Sequence, residues 1–390
     1  MKPQPVQGKM ICSKRTTVIL GCIIFALFVT FFIVKQWSVD NAWKPGMPLS
    51  YERVKIGIIF LTDVTETSGY TYAHDLGIRE MQKEIGLRDD QIIRKSNVSD
   101  LSPISAEQAI RECIFEGANI IIANSWGHME ACEKLASEYP NIVFAHASGH
   151  KINNANFTNY FARIYQAWYL AGIVAGLKTT TNKIGYVAAM GKYNSEVTGS
   201  LAAFAIGVEK INPKATVYVK MIHRWYDPNG EIEAARSLIM EGCDVLTNDT
   251  DTSNPMIEAQ KAGIWGVGYN TDMSFDAPDA VITSVVFNWG VYYTQLIKSI
   301  IDGSFTTEPY YGGLKEGIID LTPFNEKLLP DGAAKIVAEE RNKIENGEFH
   351  IFEGTLETSD GRIIGEDGSI FSDFIIQNQI DWHYRNVVAL

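Results

Sequence analysis

The sequence predicts an α/β fold of two similar halves, and three observations lead there. Strand-like apolar runs alternate with helical spacings over most of the 390 residues, the pattern of mainly parallel sheets covered by helices. The segment AIRECIFEGANI from Ala109 returns as AARSLIMEGCDV from Ala234, with Ala, Arg, Ile, Glu and Gly in register at 109/234, 111/236, 114/239, 116/241 and 117/242. Lys55-Ile56-Gly57 is echoed by Lys183-Ile184-Gly185. Each copy of the longer segment reads as a helix ending at a glycine, which enters the left-handed conformation of a helix end without steric cost, and then as an apolar strand. Ligands of open α/β sheets bind outside the carboxyl ends of the strands, so two such halves facing each other define a cleft.

From the N-terminus, residues 1–15 hold Lys2, Lys9, Lys14 and Arg15, and residues 16–34 are a 19-residue run without charge. At about 1.5 Å per residue that run spans a bilayer core of about 30 Å. The basic flank keeps 1–15 in the cytosol and sends everything after Lys35 outside. A removed signal peptide would need a small-residue cleavage site, which does not follow the run. Ile19-Leu20-Gly21-Cys22 loosely resembles a bacterial lipoprotein box, with lipidation at Cys22 as the rival anchor. The expected location is therefore the cell membrane, with the folded part on the extracytoplasmic side. Residues 36–51, with Pro45 and Pro48, read as a tether.

Strands are expected at 54–60, 119–123, 142–145, 184–188, 216–221, 244–247 and 264–267. Helices are expected at 72–85, 130–138, 162–177 and 197–210. After about 288 the repeat breaks off: a helix at 291–302, Gly312-Gly313, a strand at 317–321, an amphipathic helix at 333–346 and a loop-rich tail follow. This places the first lobe at 52–150 and 285–320, and the second at 151–284 and 321–390.

Charge narrows the partners. Five of the 34 basic residues and none of the 46 acidic ones lie in residues 1–35, leaving an acidic body that is a poor binder of nucleic acid. Cys113, Cys132 and Cys243, an odd number without metal spacing, read as buried small hydrophobes; a Cys113–Cys132 bridge has no support in the spacing. His146 and His150 have helical metal spacing, but Ser148-Gly149 between them favours a turn. Asp249 and Asp251 suggest a calcium loop, yet the glycine and the final glutamate of such a loop are missing. No nucleophile elbow, P-loop or H-E-x-x-H occurs. No metal, cofactor or catalytic group is expected.

The expected strand ends carry aromatic rings among Asn, Asp and His: Gly69 to Asp75 (GYTYAHD), Asn124 to His128 (NSWGH), Met190 and Glu196, His223 to Asp227 (HRWYD), Asn248 to Thr252 (NDTDT), Tyr269 to Asp272 (YNTD), and Phe287 to Gly290 (FNWG). Rings stack on a flat heteroaromatic ligand, and carboxylates or amides read its edge; stacking one base on one ring contributes roughly 1–3 kcal/mol. A lone Trp is usually a core residue. Trp126 and Trp225 stand just past strands in both halves, which points them to the cleft instead. Asp75 has a plainer reading as a favourable charge at a helix start.

At these residues the chain resembles the basic membrane protein family of substrate-binding proteins, which includes the purine nucleoside receptors of bacterial importers. Gly69 to Asp75 matches a G-W-T-Y-x-H-D segment of one subgroup, with Tyr70 in the Trp place. Ser125-Trp126-Gly127, His146-Ala147-Ser148-Gly149, Tyr169-Leu170-Ala171-Gly172, the run from Lys183 to Ala188, Trp225-Tyr226-Asp227-Pro228, Asn288-Trp289-Gly290 and Gly312-Gly313-Leu314-Lys315 follow in order, over residues 52–385. The resemblance implies a type I periplasmic-binding-protein fold, with Rossmann-like lobes joined by three crossings. It also implies ABC permease and ATPase subunits as partners and a purine base or nucleoside as ligand, adenine foremost. By matching, the pocket would draw on Tyr70, Trp126, Glu196, Trp225, Asp251, Asp272, Asn288 and Trp289. The rival functions are a membrane-tethered purine-sensing module and a purine-modifying hydrolase.

Overall fold

Gly57 in strand β1 (Ile56–Ile59) and Gly185 in β6 (Lys183–Ala188) show how the repeat becomes structure. A Cβ on Gly57 would lie 2.5 Å from the Cβ of Cys113, in helix α2 (Pro103–Phe115). A Cβ on Gly185 would lie 3.0 Å from that of Leu238, the matching residue of α6 (Pro228–Met240). In each half a helix therefore rests directly on a central strand. Both helices start on a capping side chain followed by proline: Ser102 accepts from the Ser105 N–H, and Asp227 from the Gly230 N–H. Gly117 and Gly242 take φ of +96° and +95° just past the helix ends. The Lys183 ammonium donates to the Glu241 carbonyl at 2.8 Å, where the helix dipole favours a cation. Arg111 and Arg236 reach acids of the following helices, Glu138 at 2.7 Å and Glu258 at 2.7 Å. The duplicated residues thus specify one strand–helix–helix joint, used twice.

The computed structural model describes residues 43–64 and 68–390. The 16–34 span, the residues before it, Cys22 and the first part of the tether, residues 36–42, lie outside these. Among the described residues no helix is long and apolar enough to cross a membrane. Residues 45–390 form one unit.

Within it the first sheet also takes β2 (Ile92–Lys95), β3 (Ile120–Ala123), β4 (Val143–Ala147) and β5 (Phe157–Ala162). Helices α1 (Gly69–Ile85) and α3 (Met129–Glu138) belong to the same half. The second half begins with α4 (Tyr165–Lys178) and adds α5 (Ser195–Ile211), β7 (Thr216–Met221), β8 (Val245–Asn248), α7 (Asn254–Ala262), β9 (Trp265–Asn270) and β10 (Val281–Phe287). Helix α8 (Trp289–Asp302) packs back on α1, β11 (Tyr310–Gly312) joins the first sheet and β12 (Ile319–Leu321) the second. The sheet orders are β11-β5-β4-β3-β1-β2 and β12-β10-β9-β8-β6-β7-β15, the last strand being Val387–Ala389. All neighbours are parallel except β12 on β10. Apart from the added β15 and the reversed direction of β12, the two orders coincide, so the halves share one topology and the loops after their strands face a common cleft.

Three crossings join them, at 162–165, 287–289 and 312–319, and they are bonded to one another. The Arg163 N–H donates to the Gly312 carbonyl at 2.6 Å. The Asn288 backbone N–H donates to Ile318 at 2.7 Å, and its side-chain amide to Gly317 at 3.0 Å. The lobe boundaries thus fall later than the sequence suggests at two points and earlier at one. Strand β5 keeps the first lobe running to 162 instead of 150, β10 delays its return from 285 to 289, and β12 ends it before 319 instead of 320. Both β5 and β10 have polar residues inside, and Thr158 and Thr283 spend their hydroxyls on the carbonyls of Glu308 and Thr322.

The tail after α9 (Ala333–Glu345) is more ordered than expected. It forms a small hairpin, β13 (Leu356–Glu357) with β14 (Ile363–Ile364), then α10 (Asp373–Asn378), and ends as β15 on the edge of β7. The three cysteines are free and buried.

Replacing Gly57 by Ala is expected to cost about 1–3 kcal/mol, as overpacking does, because the obstructing atom is a Cβ near the backbone. Gly185→Ala should cost less, since its closest obstacle is a terminal methyl of Leu246 at 2.5 Å that can turn away. Urea unfolding of the two variants tests the order.

Candidate ligand site between the lobes

Helix α1 begins where β1 ends, and its first residue reaches the other lobe. Gly69 has φ of +86°, and a Cβ there would lie 2.5 Å from the backbone carbonyl of Asp251, in the loop after β8. The lobes therefore meet over the cleft. Asp251 is itself fixed within its own lobe: its N–H donates to the Trp225 carbonyl at 2.8 Å, and its carboxylate accepts from the Asn270 amide at 3.1 Å.

Behind this contact lies a set of groups from both lobes. Tyr70, on the first turn of α1, points its hydroxyl toward Ser148; burial first, then Tyr160, Glu196 and Asp251, push that hydroxyl well above its ordinary range. Glu196, on the first turn of α5, is pushed up to about 8, first by burial and then by Asp249 and Asp251. Asp249 accepts from the Ala189 N–H at 2.6 Å and the Tyr186 hydroxyl at 3.1 Å, yet burial still raises it to about 7. Tyr269, Tyr186 and Tyr311 each have Glu196 among the groups acting on them. Tyr70, Glu196 and Asp251 all keep partial solvent contact, and they act on one another across the lobe boundary. Ser148 and Asn270, at the ends of the matching strands β4 and β9, both hold φ above zero, at +60° and +65°. Non-glycine residues held there are strained, and such strain gathers at ligand sites.

The eight residues named from the sequence divide. Tyr70, Glu196 and Asp251 come together as described. Trp225 is half-buried, and among the described residues no other aromatic ring packs on it. Trp126 is 54% exposed, on the short turn Trp126–His128, with the His150 ring 5.5 Å away. Asp272 accepts from the Ser274 N–H at 2.9 Å and caps a short turn. Asn288 serves the crossings. Trp289 requires a correction: it is fully buried, with His74 stacked on one side at 4.3 Å and Phe287 on the other at 4.5 Å. Neither face is free for a ligand. The sequence hides this because His74 stands far from Trp289 along the chain. Asp249, Tyr269 and Ser148 lie in segments quoted from the sequence but were not among the eight pocket residues, and Tyr311 was missed altogether; Asp249 and Ser148 follow strand ends and Tyr269 lies near the end of β9.

The metal readings find other occupations. His146 Nε2 donates to the Ser125 carbonyl at 2.6 Å, and burial pushes its ring down to about 4. Among the described residues no cluster of His, Cys, Asp and Glu could hold a metal ion. Asn156 and Asn248 are buried, their amides donating to the Ile142 and Thr250 carbonyls.

Two outcomes are expected. Gly69→Ala should leave the fold intact but hold the lobes apart, since the added Cβ meets a backbone oxygen; small-angle scattering would show a larger radius of gyration than the native protein has with ligand present. The raised carboxyls also set a pH trend. Their neutral forms are favoured by folding, so unfolding releases protons and stability falls as pH rises toward about 7 for Asp249 and about 8 for Glu196. Below about pH 6.5 the buried, depressed His74, His128, His146 and His383 act in the opposite sense. The melting temperature of the ligand-free protein should therefore fall between about pH 6.5 and about pH 8.5, and Glu196→Gln should flatten that fall.

Comparisons with known proteins place this arrangement. Residues 54–353 match the family described as ABC transporter substrate-binding protein, PnrA-like. A purine-binding protein of Brucella abortus is 31% identical over 316 residues, covering 81% of this chain and 88% of its own length. TsgA13 of Haloferax volcanii, provisionally named an ABC transporter glucose-binding protein, is 28% identical over 310 residues, covering 80% of this chain and 77% of that one. Among solved structures, a solute-binding protein of an ABC transporter system from Conexibacter woesei superposes with a TM-score of 0.62 at 21% identity, over 76% of this chain and 98% of its own. That likeness carries the fold, a two-lobed binding-protein architecture built on parallel sheets. The family is one of substrate-binding proteins and not of enzymes, and the chain belongs to it: an ABC transporter substrate-binding protein of the PnrA-like, basic membrane protein family.

Proposed function

We propose that this protein captures a purine between its lobes on the extracytoplasmic side of a membrane and delivers it to the permease and ATPase subunits of an ABC importer. The observation that carries the ligand is the make-up of the interlobe space. The Tyr70 ring keeps partial exposure beside Glu196 and Asp251, Trp225 is half-buried and accepts from the Asp251 N–H through its backbone carbonyl, and the charged groups acting on Glu196 are both carboxylates. Such a site suits a flat, uncharged molecule with polar edges, since rings take its faces and carboxyl groups its N–H groups. It disfavours a phosphorylated or carboxylated one, which would add charge of the same sign. The Brucella relative's purine supports the reading, and the glucose of the Haloferax relative's name marks its rival. Anchoring through residues 16–34 and the outward orientation rest on the apolar run and its basic flank.

Ligand bound only to the folded state raises its melting temperature by mass action. Adenine, guanine, hypoxanthine, adenosine, guanosine, inosine and glucose at millimolar concentration form the decisive panel. A rise with at least one purine and none with glucose is expected; the reverse pattern would replace the purine with a sugar. Trp225→Ala should weaken purine binding by about tenfold to a hundredfold, the range of one lost ring stack, measured by titration calorimetry. Deleting the gene should abolish uptake of labelled purine. Binding with undiminished uptake would instead favour a sensing role.

A further inference from the structure

Glu196 stands apart among the carboxyl groups near the cleft. Asp249 has two donors within 3.1 Å, and Asp251 accepts from Asn270. Among the described residues the Glu196 side chain has neither a hydrogen bond nor an ion pair, and it sits half-buried on the first turn of α5 among groups of both lobes. The titratable groups close enough to act on it, or to be acted on by it, are Asp249 and Asp251 from the loop after β8, Tyr186 from β6, Tyr269 from β9, Tyr70 from α1 and Tyr311 from β11. None of these is a cation. An ionised carboxylate there would be desolvated, unpartnered and beside two like charges, the combination that keeps a carboxyl group protonated.

A protonated carboxyl differs from a carboxylate in what it reads. It presents one O–H donor next to one carbonyl acceptor, whereas the ionised form only accepts. We infer that Glu196 reads the ligand's edge as a neutral carboxylic acid, donating to an unprotonated ring nitrogen and accepting from the amino group beside it. This rests on the purine reading of the site and sharpens it to an aminated base of the adenine type. It couples capture to protonation: the site is filled most readily where Glu196 keeps its proton and is weakened where it does not. The raised Glu196, at about 8, agrees with that assignment.

The test is calorimetric titration of the full-length protein with adenine at pH 6 and pH 9, for the native chain and for Glu196→Gln. The glutamine amide keeps a donor beside an acceptor at every pH. The native protein should bind adenine roughly tenfold more weakly at pH 9, one unit above the group's titration. The Glu196→Gln variant should bind at both pH values within about threefold of the native protein at pH 6, a margin below 1 kcal/mol. Adenine binding by the native protein that is flat, or that strengthens with pH, would overturn the inference. So would a Glu196→Gln variant that melts like the native protein at pH 6 and binds at least tenfold more weakly there, because the ionised form would then be the working one. Either result leaves the purine reading standing. Absence of binding by every purine at both pH values would remove that reading and this inference together.

Discussion

Helix α2 can lie on strand β1 only because residue 57 has no side chain, and α6 on β6 only because residue 185 has none. The rest of the molecule follows from that close approach. It brings each helix end to the base of its sheet, where Gly117 and Gly242 turn the chain and a lysine of the first strand can cover the exposed carbonyls. The opposite ends of the same strands are left to carry loops. Because the joint occurs twice in the same strand order, the loop-bearing ends form one cleft, and a contact as small as Gly69 on the Asp251 carbonyl is enough to bring the lobes together.

What the cleft can hold is decided by charge more than by shape. Tyr70, Tyr186, Tyr269 and Tyr311 are all pushed upward by burial and by neighbouring acids, and so remain neutral donors. Asp249 has its oxygens committed to Tyr186 and Ala189. The lining described is therefore polar and aromatic, and the charged groups acting on Glu196 there are acidic, so it offers hydrogen bonds to a ligand and no cation to pair with. A base or a sugar can meet such a lining, while a nucleotide would bring charge that nothing there neutralises.

Much of the fold was legible because its signals are local. The helix-ending glycines, the repeated Lys-Ile-Gly and the apolar strands each lie within a dozen residues or so, and they fixed the two halves and most strand positions. The strands that escaped were those whose polar residues are satisfied from far away, such as β5 and β10, or whose surface is charged, such as β2. The site was legible in its location more than in its membership. Residue type and place after a strand brought out Tyr70, Glu196, Trp225 and Asp251, but nothing local distinguishes a tryptophan that offers its face from one enclosed between two rings. Trp289 belongs to the second kind, and only the packing of α8 on α1 reveals it.

The two sheets also face one physical problem that the duplication does not solve. An open sheet ends in a strand with unpaired backbone groups, which invites pairing with other chains. In the first lobe the edge is β2, and its Arg94 and Lys95 are tied to Asp75, Glu112 and Glu116, charges that keep the edge solvated. In the second lobe the edge would be β7, which among the described residues has no comparable set of acids paired to it; the C-terminal tail instead lays β15 along it, fixed by Arg385 on Glu209 at 2.8 Å. The same tail carries Asp373 to Arg163 at the first crossing, in a two-point pair at 3.0 and 2.6 Å. A segment lying almost wholly beyond residues 54–353 thus finishes the second sheet and grips the hinge with one run of chain. Edge protection and hinge geometry, separate matters in the first lobe, are coupled in the second.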